Sequence, residues 1–126
     1  IKPFVMFIDE VHRYTKGINN DGFTFYTGLN SIAREGRKKG IFLFLTTQNP
    51  NDVDKILLGQ VGTLLVHRLT SPDEIKAIQN HLMENQIKKL NTGEAVLTSI
   101  NLLKNLYIQV EKCNRPHHNE TPSLLS

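Results

Sequence analysis

The chain reads as an α/β fold: a partial parallel sheet with flanking helices and a C-terminal β-hairpin. Three apolar runs, residues 4–8, 41–46 and 63–67, are continuous rather than alternating, the pattern of strands covered on both faces. Between the first two stands a segment with apolar residues at helical spacing, so the unit reads strand, helix, parallel strand, with a right-handed crossover. Past the third run, two further β-prone stretches are separated by a loop rather than a helix, which predicts the hairpin.

Each element has its own signal. Phe4-Val5-Met6-Phe7-Ile8 forms the first strand, and a Gly- and Asn-rich loop, residues 16–22, follows it. Leu29, Ile32, Ala33 and Gly36 mark one face of the crossover helix, which Gly40 stops just before the second strand. Asn49-Pro50-Asn51-Asp52 is read as a turn that caps a short helix through Leu58. Ser71 as N-cap, Pro72 in the first turn and Glu74 completing a capping box start the next helix, with Ile75, Ile78 and Leu82 as its buried stripe. A polar stretch, 84–91, leads through Thr92-Gly93 to strands at 95–98 and 106–110. Residues 1–112 read as the C-terminal part of one domain, and 113–126 as a tail without its own core.

Composition narrows the class. With 126 residues, 39% hydrophobic and 21% charged, the chain is ordinary for one globular domain. Its apolar runs fall far short of the roughly 20 residues a membrane helix needs. A single cysteine, Cys113, allows no internal disulfide, and no signal-peptide pattern is seen, so a cytoplasmic setting is expected. Fifteen Lys and Arg against twelve Asp and Glu give a net charge of +3, too mild to establish nucleic-acid binding. Ile1 is not an initiator Met and an apolar run begins at Phe4, which predicts that further sequence, chemistry included, precedes this stretch.

Chemistry gathers at the predicted strand ends. The first strand runs into Asp9-Glu10, two carboxylates at the carboxyl edge of a parallel sheet, where α/β folds bind ligands. One such acid can hold Mg²⁺ and its neighbour can polarise a water beside a γ-phosphate, though two solvated acids would spell the same pair. The second strand ends in Thr46-Thr47-Gln48, either polar sensing groups or plain turn formers. Arg34, Arg37 and Lys38, at i, i+3 and i+4, share a face of the crossover helix, with Arg37 nearest its packed side. They are a solvated basic face or carry an arginine finger for a neighbouring subunit. His12 beside the acids, and His117-His118 in the tail, lack the second ligand cluster a transition-metal site requires. Arg13 and Lys16, in the loop after the first strand, are either DNA-phosphate contacts or ordinary exposed residues.

Taken in order, Phe4-Val5-Met6-Phe7-Ile8-Asp9-Glu10-Val11-His12, Ile32-Ala33-Arg34-Glu35-Gly36-Arg37-Lys38-Lys39-Gly40, Thr46-Thr47-Gln48-Asn49-Pro50, Arg68-Leu69-Thr70-Ser71-Pro72-Asp73 and Asn91-Thr92-Gly93-Glu94-Ala95 resemble the C-terminal half of HerA-like ATPases of the HerA/FtsK class. The resemblance covers about residues 3–110, and the Ala-Arg-Glu-Gly-Arg-Lys helix is its most specific part. It implies a RecA-like fold, a homo-hexameric ring, hydrolysis of ATP with Mg²⁺, translocation on double-stranded DNA and room for a nuclease partner. Asp9 and Glu10 match the Walker B pair, with Asp9 toward Mg²⁺. Gln48 matches the sensor, and Arg37 or Arg34 the finger.

One part of the family's machinery is missing from these residues. No Gly-x-x-x-x-Gly-Lys-Ser/Thr cradle occurs in the sequence. The reading is therefore of an ATPase whose phosphate loop lies upstream, and of a chain inactive by itself. Two rivals stand beside it. Asp9-Glu10-Val11-His12 also spells the DExH box of a superfamily 2 helicase, although the Ser-Ala-Thr-like motif expected downstream is replaced by Thr-Thr-Gln-Asn-Pro. The other is a non-catalytic α/β assembly module.

Overall fold

The computed structural model describes residues 2–15, 28–78 and 84–116. The loop at 16–22 with Lys16, the stripe residue Leu82, and His117 and His118 lie outside the described residues.

Strand β1 (Phe4–Ile8) pairs in parallel with β2 (Ile41–Leu45), in a register running from Phe4 opposite Ile41 to Ile8 opposite Leu45. The two strands therefore end level. Helix α1 (His12–Thr15) follows β1 after a tight turn, and the crossover carries α2 (Gly28–Glu35). A 3-10 turn over Gly36–Lys39 then leads to Gly40. Gly40 has φ 77°, and a Cβ there would come within 3.2 Å of Pro3 Cα, so the position requires glycine. Its carbonyl accepts the Phe4 N–H at 2.9 Å, which sets the register of the strand pair at its first rung.

The third apolar run corrects the expectation of a third parallel strand. Strand β3 (Thr63–Val66) pairs antiparallel with β4 (Glu94–Ser99), and β4 pairs antiparallel with β5 (Leu106–Gln109), giving a separate sheet of order β3-β4-β5. An apolar run reports burial and not the direction of a neighbour. The β4 partner is chosen by matched positions: Val66 faces Val96, both buried, and the Thr63 and Ser99 hydroxyls bond at 3.0 Å. Coverage on both faces also fails for β1 and β2. Val5, Phe7, Phe42 and Phe44 point to one exposed side, where the Phe7 and Phe44 rings stack tilted at 5.1 Å.

Helix α3 (Lys55–Gln60) starts later than predicted. Asn49 bonds Asp52 at 2.7 Å across a 3-10 turn, and the cap is Asp54, whose carboxylate accepts the Ile56 N–H at 2.8 Å. The other oxygen of Asp54 accepts from buried Asn30 at 2.9 Å, tying α2 to the start of α3. Helix α4 (Pro72–Ile78) begins at the predicted place, with the Ile75 N–H bonding the Ser71 carbonyl at 3.1 Å. The polar stretch after it holds an unpredicted short helix, α5 (Glu84–Lys88). Among the described residues only Ile87 and Leu90 give it an apolar side, too few for a period to show.

Two clusters form the interior. Val66, Ile75, Ile78, Ile87, Leu90 and Val96 pack α4 and α5 against the antiparallel sheet. Val11, Val53 and Leu57, with Ile8, Leu29, Ala33 and Leu45 against them, fill the space beneath the ends of β1 and β2. That second cluster underlies the predicted site.

Candidate functional site

Because β1 and β2 end level, the residues immediately after them become neighbours: Asp9 beyond Ile8 and Thr46 beyond Leu45. Thr46 makes four bonds to the β1 end. Its N–H donates to the Ile8 carbonyl at 3.0 Å, and its carbonyl accepts the Val11 N–H at 2.9 Å. Its hydroxyl donates to Asp9 Oδ1 and accepts the Glu10 N–H at 3.3 Å. One residue thus fixes four consecutive positions, Ile8 to Val11, across the sheet.

The turn so held is strained. Glu10 has φ 52°, the left-handed region, which for a residue with a Cβ costs about 1–2 kcal/mol. The surroundings over-determine it. Its N–H is taken by Thr46, its carbonyl accepts the Arg13 N–H at 2.9 Å, and the next residue, Val11, is buried in the second core cluster. The conformation leaves the Glu10 side chain half-buried, with Oε2 3.2 Å from His12 Nδ1. The same nitrogen lies 2.9 Å from Thr47 Oγ1, and that hydroxyl oxygen also accepts the Asn49 N–H at 3.1 Å.

The predicted residues are distributed unevenly around this turn. Asp9 and Glu10 sit together at the strand end, with Asp9 exposed and one of its oxygens bonded to Thr46. Gln48 is exposed two positions past Thr46, on the same outgoing segment. Arg34 ends α2, and Arg37 is exposed in the 3-10 turn that follows, a correction to the shared α-helical face because α-helical geometry stops at Glu35. Among the described residues no ion pair joins either arginine to Asp9 or Glu10. Arg13 lies on α1 and not in a loop, and is exposed. Among the described residues no group of three or more His, Cys, Asp and Glu could hold a metal ion, and no helix is long and apolar enough to cross a membrane.

The sequence pattern assigns neither the clamp to Thr46 nor the Glu10 contact to His12. In it Thr46 and Thr47 group with Gln48 as sensing groups or turn formers, and His12 is a candidate metal ligand or the end of a DExH box. The signal was available in the pairing of the two apolar runs. Once they are laid level in parallel, Asp9 has to meet Thr46.

The fold that carries this turn is similar to that of solved packaging ATPases. The genome packaging NTPase B204 of Sulfolobus turreted icosahedral virus 2, solved with ATP-gammaS, superposes with a TM-score of 0.68 at 18% identity, over 86% of this chain and 52% of that one. The DNA-packaging ATPase B204 of Sulfolobus turreted icosahedral virus gives 0.69 at 20% identity, over the same shares of the two chains. At these identities the likeness shows the fold alone. The family is shown by sequence: residues 2–115 match the Helicase HerA-like C-terminal family, and the chain belongs to it. A probable helicase of Methanocaldococcus jannaschii is 30% identical over 130 residues, covering 98% of this chain and 25% of that protein. The DNA double-strand break repair helicase HerA of Sulfurisphaera tokodaii is 26% identical over 129 residues, covering 98% and 26%. The chain thus spans about a quarter of the length of the curated relatives it matches.

Proposed function

We propose that the chain supplies the acid pair, sensor and finger of a HerA-like ATPase, a cytoplasmic homo-hexameric ring that couples ATP hydrolysis to movement on, or unwinding of, double-stranded DNA. The observation that carries this reading is the clamp at the strand ends: Asp9 and Glu10 held by Thr46, in a chain of the HerA-like family. The names of its helicase relatives support the DNA substrate and leave a nuclease partner open.

Asp9 suits a magnesium ion. Its carboxylate is exposed at the sheet edge, one oxygen is anchored by a hydroxyl and the other is open, and Mg²⁺ typically takes one or two protein carboxylates beside substrate phosphates. When bound, that ion would neutralise charge on the phosphate oxygens. The chain's own residues do the rest. Thr46 keeps Asp9 aimed outward. The strained turn presents Glu10 beside it, so that its carboxylate orients and polarises a water for in-line attack on the γ-phosphate. Gln48 senses that phosphate from the β2 end. Arg37, or Arg34 behind it, is a finger for the nucleotide of an adjacent subunit, which fits their exposure and, among the described residues, the absence of an ion pair from either to Asp9 or Glu10. Arg13 and Lys16 are the proposed DNA-phosphate contacts.

These 126 residues contain no phosphate cradle, so by themselves they bind no Mg-ATP tightly and hydrolyse none. The test is made in the full-length protein. Glu10→Gln keeps nucleotide affinity and abolishes turnover, because the amide has the size of the carboxylate without its basicity. Arg37→Ala keeps assembly and affinity while lowering turnover by as much as ~10³-fold. Rings mixed from the two inactive variants regain hydrolysis at joints where an intact Glu10 faces an intact Arg37. Near-normal turnover in Glu10→Gln overturns the reading and leaves the assembly module in its place.

A further inference from the structure

Glu10 and Thr47 meet at a single atom. His12 Nδ1 lies 3.2 Å from Glu10 Oε2 and 2.9 Å from Thr47 Oγ1. An ionised carboxylate only accepts hydrogen bonds, so the nitrogen facing it carries the proton, and one N–H is shared between two acceptors. The Thr47 oxygen is itself fixed by the Asn49 N–H at 3.1 Å, which holds the imidazole from the far side. The His12 and Glu10 side chains are 22% and 26% exposed, shielded enough for a charge-assisted bond to be worth more than a surface ion pair.

The partners come from different segments. Glu10 and His12 follow β1, whereas Thr47 follows β2 and is the immediate neighbour of Gln48. A displacement at the β2 end therefore changes how the N–H is divided. Thr47 moving away leaves the whole donor to Glu10, and Thr47 moving closer loosens Glu10.

We propose that His12 is a positioning residue that aims the Glu10 carboxylate and, through Thr47, links that aim to the sensing segment at the end of β2. The proposal rests on Glu10 being the group that acts on water. His12 touches neither nucleotide nor water in this scheme. It holds Oε2, leaving Oε1 as the oxygen that takes the water's proton.

Steady-state ATP hydrolysis by the full-length protein tests it, with nucleotide affinity and thermal melting measured alongside. His12→Ala is expected to lower kcat by about 10–100-fold, the usual cost of removing a supporting hydrogen-bond partner, with KM for ATP and the melting temperature near wild type. His12→Asn, whose amide N–H reaches the place of Nδ1, recovers most of the loss. Thr47→Val leaves the whole N–H to Glu10 but frees the far side of the imidazole, so it lowers kcat by a smaller factor, and by nothing further once His12 is Ala, because the two act through one bond. If His12→Ala does not fold, His12→Asn against His12→Leu, alike in shape and different in the N–H, makes the same comparison. Wild-type kcat in His12→Ala, Asn no better than Ala or Leu, or a Thr47→Val cost that is equal in both backgrounds would each overturn the proposal. Glu10→Gln in the same assay separates the two readings. If it is inactive while His12→Ala is as fast as wild type, only the His12 proposal fails.

Discussion

Replacing Thr46 with Val keeps the side chain's shape and removes its hydroxyl, and with it two bonds: one donated to the Asp9 carboxylate and one accepted from the Glu10 N–H at 3.3 Å. A hydrogen bond to a charged group is worth about 1.5–3 kcal/mol and a neutral one about 0.5–1.5. Both bonds are exposed and the second is long, so the low end of each range applies, about 2 kcal/mol together. The loss is local to Asp9 and Glu10. Amide hydrogen exchange in the full-length protein reads it directly: 2 kcal/mol corresponds to roughly 30-fold faster exchange at the Glu10 amide. The Val11 amide serves as an internal control, since it bonds the Thr46 carbonyl and that bond survives the substitution. Thr46→Ser, which retains the hydroxyl, keeps the wild-type rate. Turnover falls along with protection in Thr46→Val, by about tenfold or more, because Asp9 has lost its anchor. A Glu10 amide that exchanges no faster in Thr46→Val, or one that exchanges as fast in Thr46→Ser, refutes the clamp.

Three further substitutions check the turn, the register and the core. At Glu10, with φ 52°, Gly is expected to exceed Ala in stability by about 1 kcal/mol, the reverse of the usual order; denaturant titration of the pair decides it, and Ala matching Gly shows the turn to be unstrained. Gly40→Ala places a Cβ 3.2 Å from Pro3 Cα at φ 77°, so a loss of about 1–3 kcal/mol is expected in the same titration, and a neutral result removes Gly40 as the register lock. Leu57, fully buried in the cluster under the strand ends, should lose about 2–5 kcal/mol on truncation to Ala, with turnover falling as the turn above it loosens; unchanged melting uncouples the cluster from the site.

The parts of the fold readable in the sequence were those with local causes. Gly40 stopping the crossover, Ser71-Pro72 starting α4 and the two strands of the hairpin all lie where their own residues place them. What escaped was decided by distant partners. The run at 63–67 has the composition of its two predecessors, yet its neighbour is β4, more than a helix away in sequence. Helix α5 is held by Ile87 entering a core built from other elements, and the cap of α3 moved to Asp54 because Asn49 satisfies Asp52 first. The site divides in the same way. Asp9 and Glu10 announce themselves as consecutive acids after an apolar strand. Thr46 and His12 stand in the motifs at the two strand ends, but their bonds to Asp9 and Glu10 exist only when the strands lie level, and no local pattern marks those bonds.

The order in which the chain folds follows from the same registers. The β4–β5 hairpin pairs residues close in sequence and can close early, whereas the Asp9–Thr46 contact joins residues 37 positions apart. Closing that long a loop costs entropy before any contact repays it, so the strand ends come together late. The acid turn therefore forms after the β4–β5 hairpin, as does the β3–β4 pairing, whose Thr63 and Ser99 are 36 positions apart. Substitutions at Thr46 should speed unfolding and leave the folding rate nearly untouched, while substitutions at Val96 and Ile108 in the hairpin should slow folding itself.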